Sequence, residues 1–139
     1  MIHHSAIKVR WDDLDAFGHV NNAIYLTFAQ EARNDFIWYS RKAVGKEPIL
    51  ADMVVARAEV DFIEPIYDGG FDLDVAITVG RLGNASFELN YIISHQGLIH
   101  AHVKTVQVAV SMETKKSRPL ANEEREFLSG YLEDSAEGK

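Results

Sequence analysis

The residues best equipped for chemistry lie together near the start of the chain, in RWDDLDAFGHVNN, Arg10 to Asn22. Three carboxylates, a histidine, a glycine and two asparagines share this polar segment. A carboxylate can take a proton from an attacking water or attack a carbonyl itself, and free amides at a helix start can hold the charge that develops on the carbonyl oxygen. Asp15, shortly before Gly18 and a helix start, can do the first. Gly18, without a Cβ, lets a ligand or a second chain approach the backbone. His19 is expected as a donor to the acids or to a substrate. Asn21 and Asn22 are residue types that cap helices. Asp13 is expected to shape the loop by binding backbone amides, and Asp12 to face solvent.

Calcium does not fit this segment. Asp13, Asp15 and Gly18 match positions one, three and six of a calcium loop, but Phe17 and Ile24 fall where two further ligands belong. Transition-metal ligation has no better support, because the six histidines show no compact spacing with a carboxylate, and no metal is expected. His100 and His102 should share one strand face as a surface or interface pair.

Elements on both sides must hold the segment in place. Ile7, Val9 and Trp11 alternate with Lys8 and Arg10, which predicts a half-buried strand. From Asn21 to about Val44 there is no Gly or Pro, and Ile24, Phe28, Ala32, Phe36 and Tyr39 recur at helical spacing. Leu26, Ala29, Ile37 and Trp38 widen the apolar face, so the helix reads as largely buried, with Glu31, Arg33, Asn34 and Asp35 in need of partners. Four strand patterns follow, at 53–66, 71–82, 85–95 and 98–112, separated by hairpin signals at Asp68–Gly70, Gly83–Asn84 and Gln96–Gly97. Phe71, Leu73, Val75, Ile77 and Val79 should share the buried face of one strand. Beyond Pro119, residues 122–132 predict a short helix capped by Asn122, and the tail from 133 to 139 is expected to fray. This order implies one α+β domain over 1–139, with its core in about 7–120. A five-stranded antiparallel sheet would wrap a long central helix, with a short helix at the C-terminal end.

Composition narrows the function. The 139 residues include no cysteine, which removes thiol chemistry and disulfides. With 14 Lys and Arg against 21 Asp and Glu, the net charge of -7 argues against a nucleic-acid partner. No apolar run approaches the roughly 20 residues that a membrane span needs, and the start lacks a secretory apolar region. A cytoplasmic address without a membrane partner is the expectation.

VRWDDLDAFGHVNNAIYLTFAQEAR resembles the first motif of the hotdog-fold acyl-CoA thioesterases of the 4-hydroxybenzoyl-CoA thioesterase type, DxDxxGHVNNxxY running into the central helix. VDFIEPIYDGGFDLDVAITVGRLGNASFELNYII is similar to that family's next strand, turn and hairpin. The resemblance implies hydrolysis of an acyl-CoA, or of an acyl carrier protein thioester, with no cofactor. Asp15 would be general base or nucleophile, and the amide of Asn22 would polarise the carbonyl. Gly18, His19, Val20 and Ser86 would contact substrate, with Asp13, Phe17, Tyr25 and Glu31 at the pocket or interface. Phe62 and Tyr67 are further candidates for the acyl lining. Arg57, Arg81, Lys104, Lys115, Lys116 and Arg118 are available to the phosphates of coenzyme A. It also implies a homodimer at least, with homotetramers common, and a place in lipid metabolism. A non-catalytic acyl-CoA sensor is the alternative, and the absence of the dehydratase type of motif disfavours a hydratase. GHVNN in place of an apolar run tilts the substrate toward fatty or branched acyl groups.

Overall fold

The computed structural model describes residues 1–133. Five strands form one antiparallel sheet: β1 (His3–Lys8), β2 (Met53–Phe62), β3 (Asp72–Leu82), β4 (Ser86–His95) and β5 (Leu98–Ala109), in the order β1-β3-β4-β5-β2. Leu73, Val75, Ile77 and Val79 on β3 and Phe87, Leu89, Tyr91 and Ile93 on β4 all point to one buried face. Phe71 is only partly covered. Against that face lies a helix that starts as α1 (Ile24–Asn34), widens into a π turn (Asp35–Tyr39) and ends as α2 (Ser40–Ala43). Tyr25, Phe28, Ala29, Ala32 and Phe36 supply its buried stripe. Burying each of the larger side chains contributes about 2 kcal/mol. Arg33, also buried, donates to the Tyr91 hydroxyl at 3.0 Å, and Tyr91 pairs with Thr105 at 2.7 Å, so the polar groups beneath the helix have partners.

Several expectations shift. The first strand ends at Lys8, and Trp11 opens a 3-10 turn with 82% of its surface exposed; the alternation past Val9 belongs to a loop. The helix begins at Ile24 rather than Asn21. It is less buried than its composition suggests, since Leu26, Trp38 and Tyr39 are exposed. Asp68–Gly70 is not a hairpin turn. There Gly70 N donates to Val9 O at 2.7 Å and Val9 N to Phe71 O at 2.9 Å, so this segment lies along the end of β1 and carries the chain between opposite edges of the sheet. A local turn signal cannot report that β2 pairs with β5. His100 and His102 do not share a face. Ile93 pairs with Ala101 but Ser94 with Ile99, so His100 is the extra residue of a bulge and turns inward, while His102 stays exposed.

At the C-terminal end α3 (Asn122–Ser129) has Ala121, not Asn122, in the cap position, and Glu124 reaches back to accept the Ala121 amide at 2.8 Å. Glu124 also takes a two-pronged ion pair from Arg118 at 2.8 and 2.9 Å, which holds its carboxyl below the usual range. Glu133 is not frayed: Thr78 and Asn90 donate to its carboxylate at 2.8 and 2.6 Å, and its backbone pairs with Val79. The rest of the expected tail, 134–139, lies outside the described residues. Among the described residues no helix is long and apolar enough to cross a membrane.

Candidate active site

The polar segment folds into a small loop closed at its base. Leu14 and Val20 form an antiparallel bridge, Asp15 N donates to His19 O at 2.9 Å, and Gly18 N donates to Asp15 O at 3.1 Å. Gly18 has φ +86°, and a Cβ built there would meet nothing within 4 Å. The backbone conformation therefore calls for glycine, and among the described residues only its chain neighbours come close to that position. Asp13 is buried at 2% exposure and supports the loop from beneath. Its Oδ2 accepts the Arg10 amide and its Oδ1 the Arg10 guanidinium, both at 2.8 Å, a bond that raises the pKa of Arg10. Asp12 faces solvent, as expected. Buried Val20 donates its amide to Ile66 O at 2.8 Å and so fastens the loop to the chain beyond β2.

Asp15 differs from Asp13. Its Oδ1 accepts the Phe17 amide at 2.9 Å, but its Oδ2 stands 3.8 Å from His19 Nδ1, too far for a hydrogen bond, and the side chain is 22% exposed. One oxygen is thus available to a proton or a carbonyl carbon. At the helix start Asn21 Oδ1 accepts the Ala23 amide at 2.9 Å, and Asn21 O accepts the Ile24 amide at 2.9 Å. The Asn22 amide donates to no acceptor among the described residues. It is an open donor at the positive end of the helix dipole.

His19, Val20, Asn22 and Tyr25 line one side of a pocket of about 400 Å³, and Phe62, Glu64 and Pro65 line the other. The Tyr25 and Phe62 rings meet edge to face with centroids 5.1 Å apart. Burial pushes the Tyr25 phenol up, so it is a neutral group at neutral pH. The arrangement sets an imidazole and an open amide in a cleft with an aromatic wall, with the Asp15 carboxylate 3.8 Å behind the imidazole. That is what attack on a polarised carbonyl requires.

Other expected residues lie elsewhere. Phe17 is 84% exposed and faces the His19 ring, 6.4 Å away. Tyr67 lines a different cleft with His95 and His100. Glu31 is exposed and borders a cavity with Lys8, Arg10 and Thr27 on the β1 side of the helix, away from Asn22. Ser86 opens β4, whose other end, His95, lies on the Asp15 side, so about 30 Å of strand separates the two within one chain. Arg57, Lys104 and Arg118 already face Glu59, Glu88 and Glu124. Among the described residues no three potential metal ligands converge. The residues that the sequence did not flag are Ile63, Glu64 and Pro65, which complete the cleft from a segment more than forty positions away. No local pattern marks them, because only the pairing of β2 with β5 brings them here.

Residues 9–128 match the family described as the thioesterase-like superfamily. The chain belongs to that superfamily. Membership places it among thioester hydrolases, and its relatives divide over the acyl group. It is 30% identical to the long-chain acyl-CoA thioesterase FadM of Escherichia coli, over 88% of this chain and 93% of that one. It is also 28% identical to a 1,4-dihydroxy-2-naphthoyl-CoA hydrolase of Synechococcus, over 90% and 87% of the two chains. A crystal structure of a thioesterase from Thermus thermophilus, complexed with coenzyme A and zinc, superposes with a TM-score of 0.75 at 28% identity, covering 92% of each chain. The thioesterase fold expected from the sequence is therefore present. In this thioesterase the open carboxylate oxygen and the open amide fall in the segment that carried the resemblance.

Proposed function

We propose that the protein hydrolyses an acyl-CoA to a free carboxylic acid and coenzyme A, with Asp15 as its catalytic carboxylate. The observation that carries this reading is that the undonated Asn22 amide lines the cleft together with His19, whose ring stands 3.8 Å from the half-satisfied Asp15 carboxylate. The thioester carbonyl oxygen accepts the Asn22 amide, and Asp15 takes a proton from the water that adds to the carbonyl carbon. The tetrahedral oxyanion collapses, the carbon–sulfur bond breaks, and the thiolate leaves to be protonated. Direct attack by Asp15 would give a mixed anhydride instead. Label found in the protein after a single turnover in isotopically labelled water would show attack by Asp15, because water then opens the anhydride at the aspartyl carbon. The apolar wall of Tyr25 and Phe62 suits the acyl group, and the relatives support both fatty and aromatic substrates. A composition without cysteine and a coenzyme A thioester substrate fit a cytoplasmic address.

The active unit is a homodimer at least, built on β2, and a tetramer would pair two such dimers. None of the ten residues of this edge strand is buried, and Val54, Val55 and Phe62 are each exposed by 45% or more. A second β2 laid antiparallel would pair the open edge and cover Leu26 on the helix beside it. Light scattering that returns a monomer mass would sink the dimer.

Thiol release from short, medium, long and aromatic acyl-CoA thioesters is the direct assay. Tight binding without release of thiol from any of them would favour the sensor.

A further inference from the structure

The two walls of the cleft are built differently. On the Asn22 side the loop holds itself together: Leu14 bridges Val20, Asp15 N donates to His19 O, and Asn21 N donates to Asp13 O at 2.9 Å. The opposite wall, Ile63 to Pro65, belongs to neither a helix nor a strand. Glu64 and Pro65 line the cleft on one side and, on the other, a second cavity of about 490 Å³ that reaches Tyr67, Phe71 and His95. The wall is therefore one chain thick, with open space behind it. It keeps its place only where something fastens it.

His100 is that fastening. Pairing of β2 with β5 ends at Phe62 and Ala101, and the next residue of β5 is His100, the extra residue of the bulge. Its carbonyl accepts the amides of both Ile63 and Glu64, at 2.9 and 3.1 Å, and its ring Nδ1 stands 2.8 Å from Glu64 O. A carbonyl can only accept, so Nδ1 carries the hydrogen and the imidazole donates. One buried residue thus holds both backbone groups of Glu64. Pro65, next along, has no amide to give and confines Glu64 to extended backbone, so the segment has little means of fastening itself another way. The following tie is from the Val20 amide to Ile66 O.

We infer that His100 is a positioning residue: by fixing Glu64 it sets the width of the cleft, and with it the acyl groups that fit between Tyr25 and this wall. This rests on the thioesterase reading above. His100 does not line the cleft and touches no reacting atom. Its bond acts on the part of the acyl group beyond the carbonyl, so its loss lets the wall retreat into the space behind and weakens discrimination between acyl groups more than it slows the chemical step.

Kinetics over acyl-CoA thioesters from acetyl to long-chain and aromatic test this on wild type and three variants. His100→Gln removes a donor from the Nδ1 position, His100→Asn keeps an amide N–H close to it, and His102→Gln alters the exposed histidine of the same strand. In His100→Gln the ratio of kcat/KM between the best and the bulkiest ester should fall about tenfold through KM, with kcat on the best ester kept within about twofold. His100→Asn and His102→Gln should keep the wild-type ratio. A residue that only stabilised the fold would lower the rate on every ester alike, so an unchanged ratio in His100→Gln, or an equal fall in His100→Asn, would overturn the proposal. Should His100→Gln not fold, Pro65→Ala loosens the same wall without touching β5, and an unchanged ratio there would overturn it equally. Failure of wild type on every ester would instead strike the thioesterase reading, while faster amide exchange at Ile63 and Glu64 in His100→Gln but not in His100→Asn would still establish the fastening.

Discussion

An aspartate stands beside a histidine at each of two places along the long helix, and the two pairs are in opposite states. Asp35, at the π turn, has every oxygen engaged: Ser40 donates to Oδ1 at 2.9 Å, and Ser5 and His3 meet Oδ2 at 2.6 and 3.0 Å. Burial alone would raise its carboxyl, but those three bonds outweigh it and hold the group below the usual carboxylate range. Asp15, before the helix start, has one backbone partner and a histidine at 3.8 Å. A larger cavity, about 770 Å³, opens beside His3, Phe36 and Ser40, yet the carboxylate there is already spent on neighbours. Residue type and cavity size would rank the Asp35 end first. Unsatisfied hydrogen-bonding capacity at a helix N-terminus ranks the Asp15 end first, and that is the property that chemistry needs.

The sharpest way to break this contrast is to neutralise each aspartate. Asp15→Asn should lower kcat about a thousandfold in a thiol-release assay, the scale of a lost base. Asp35→Asn should leave kcat within about twofold. Equal losses would mean that satisfaction does not separate the two sites.

Stability should respond in the opposite sense. Asp35→Ala strands Ser5, Ser40 and His3, which costs about 2 kcal/mol and lowers Tm by about 8 °C in calorimetry. Asp15→Ala should move Tm by no more than about 2 °C.

Acid sharpens the comparison further. Asp35 and Glu124 both have folded carboxyls below their ordinary values. Their stabilisation is therefore complete above the ordinary carboxylate range, near roughly pH 4, and is lost as pH falls through the folded values. The Tm gap between wild type and Asp35→Asn should be widest at neutral pH and close as the buffer is taken from pH 5 toward pH 3. A gap that widens in acid would reverse the assigned sign.

The smallest effects belong to the histidines. His19→Ala should cost several-fold in kcat/KM with little change in Tm, and His3→Ala should cost about 1 kcal/mol of stability with little change in kcat/KM.

Much of this was legible in the chain. The period of two along β3 named its buried face, and the helical spacing from Ile24 named the element beneath which the sheet curves, because both periods are fixed by local backbone geometry. Asp15, Gly18 and Asn22 stood out because a tight loop and a helix start impose their demands on adjacent residues. Other features had no local sign. Asp13 accepts a backbone amide as its place in the loop implies, but its burial beneath the loop with the Arg10 guanidinium on its other oxygen depends on packing.

By itself the sequence determined one long and one short helix, a set of strands and a reactive loop between the first strand and the long helix, since each follows from residues within a few positions of one another. Only the tertiary structure decided that β2 crosses to the far edge, that Ile63, Glu64 and Pro65 close the cleft, and that Ser86, Lys115 and Lys116 stand a strand's length from Asp15. Those outcomes depend on which strands pair, and hydrogen bonds between distant segments leave no period in the chain that forms them.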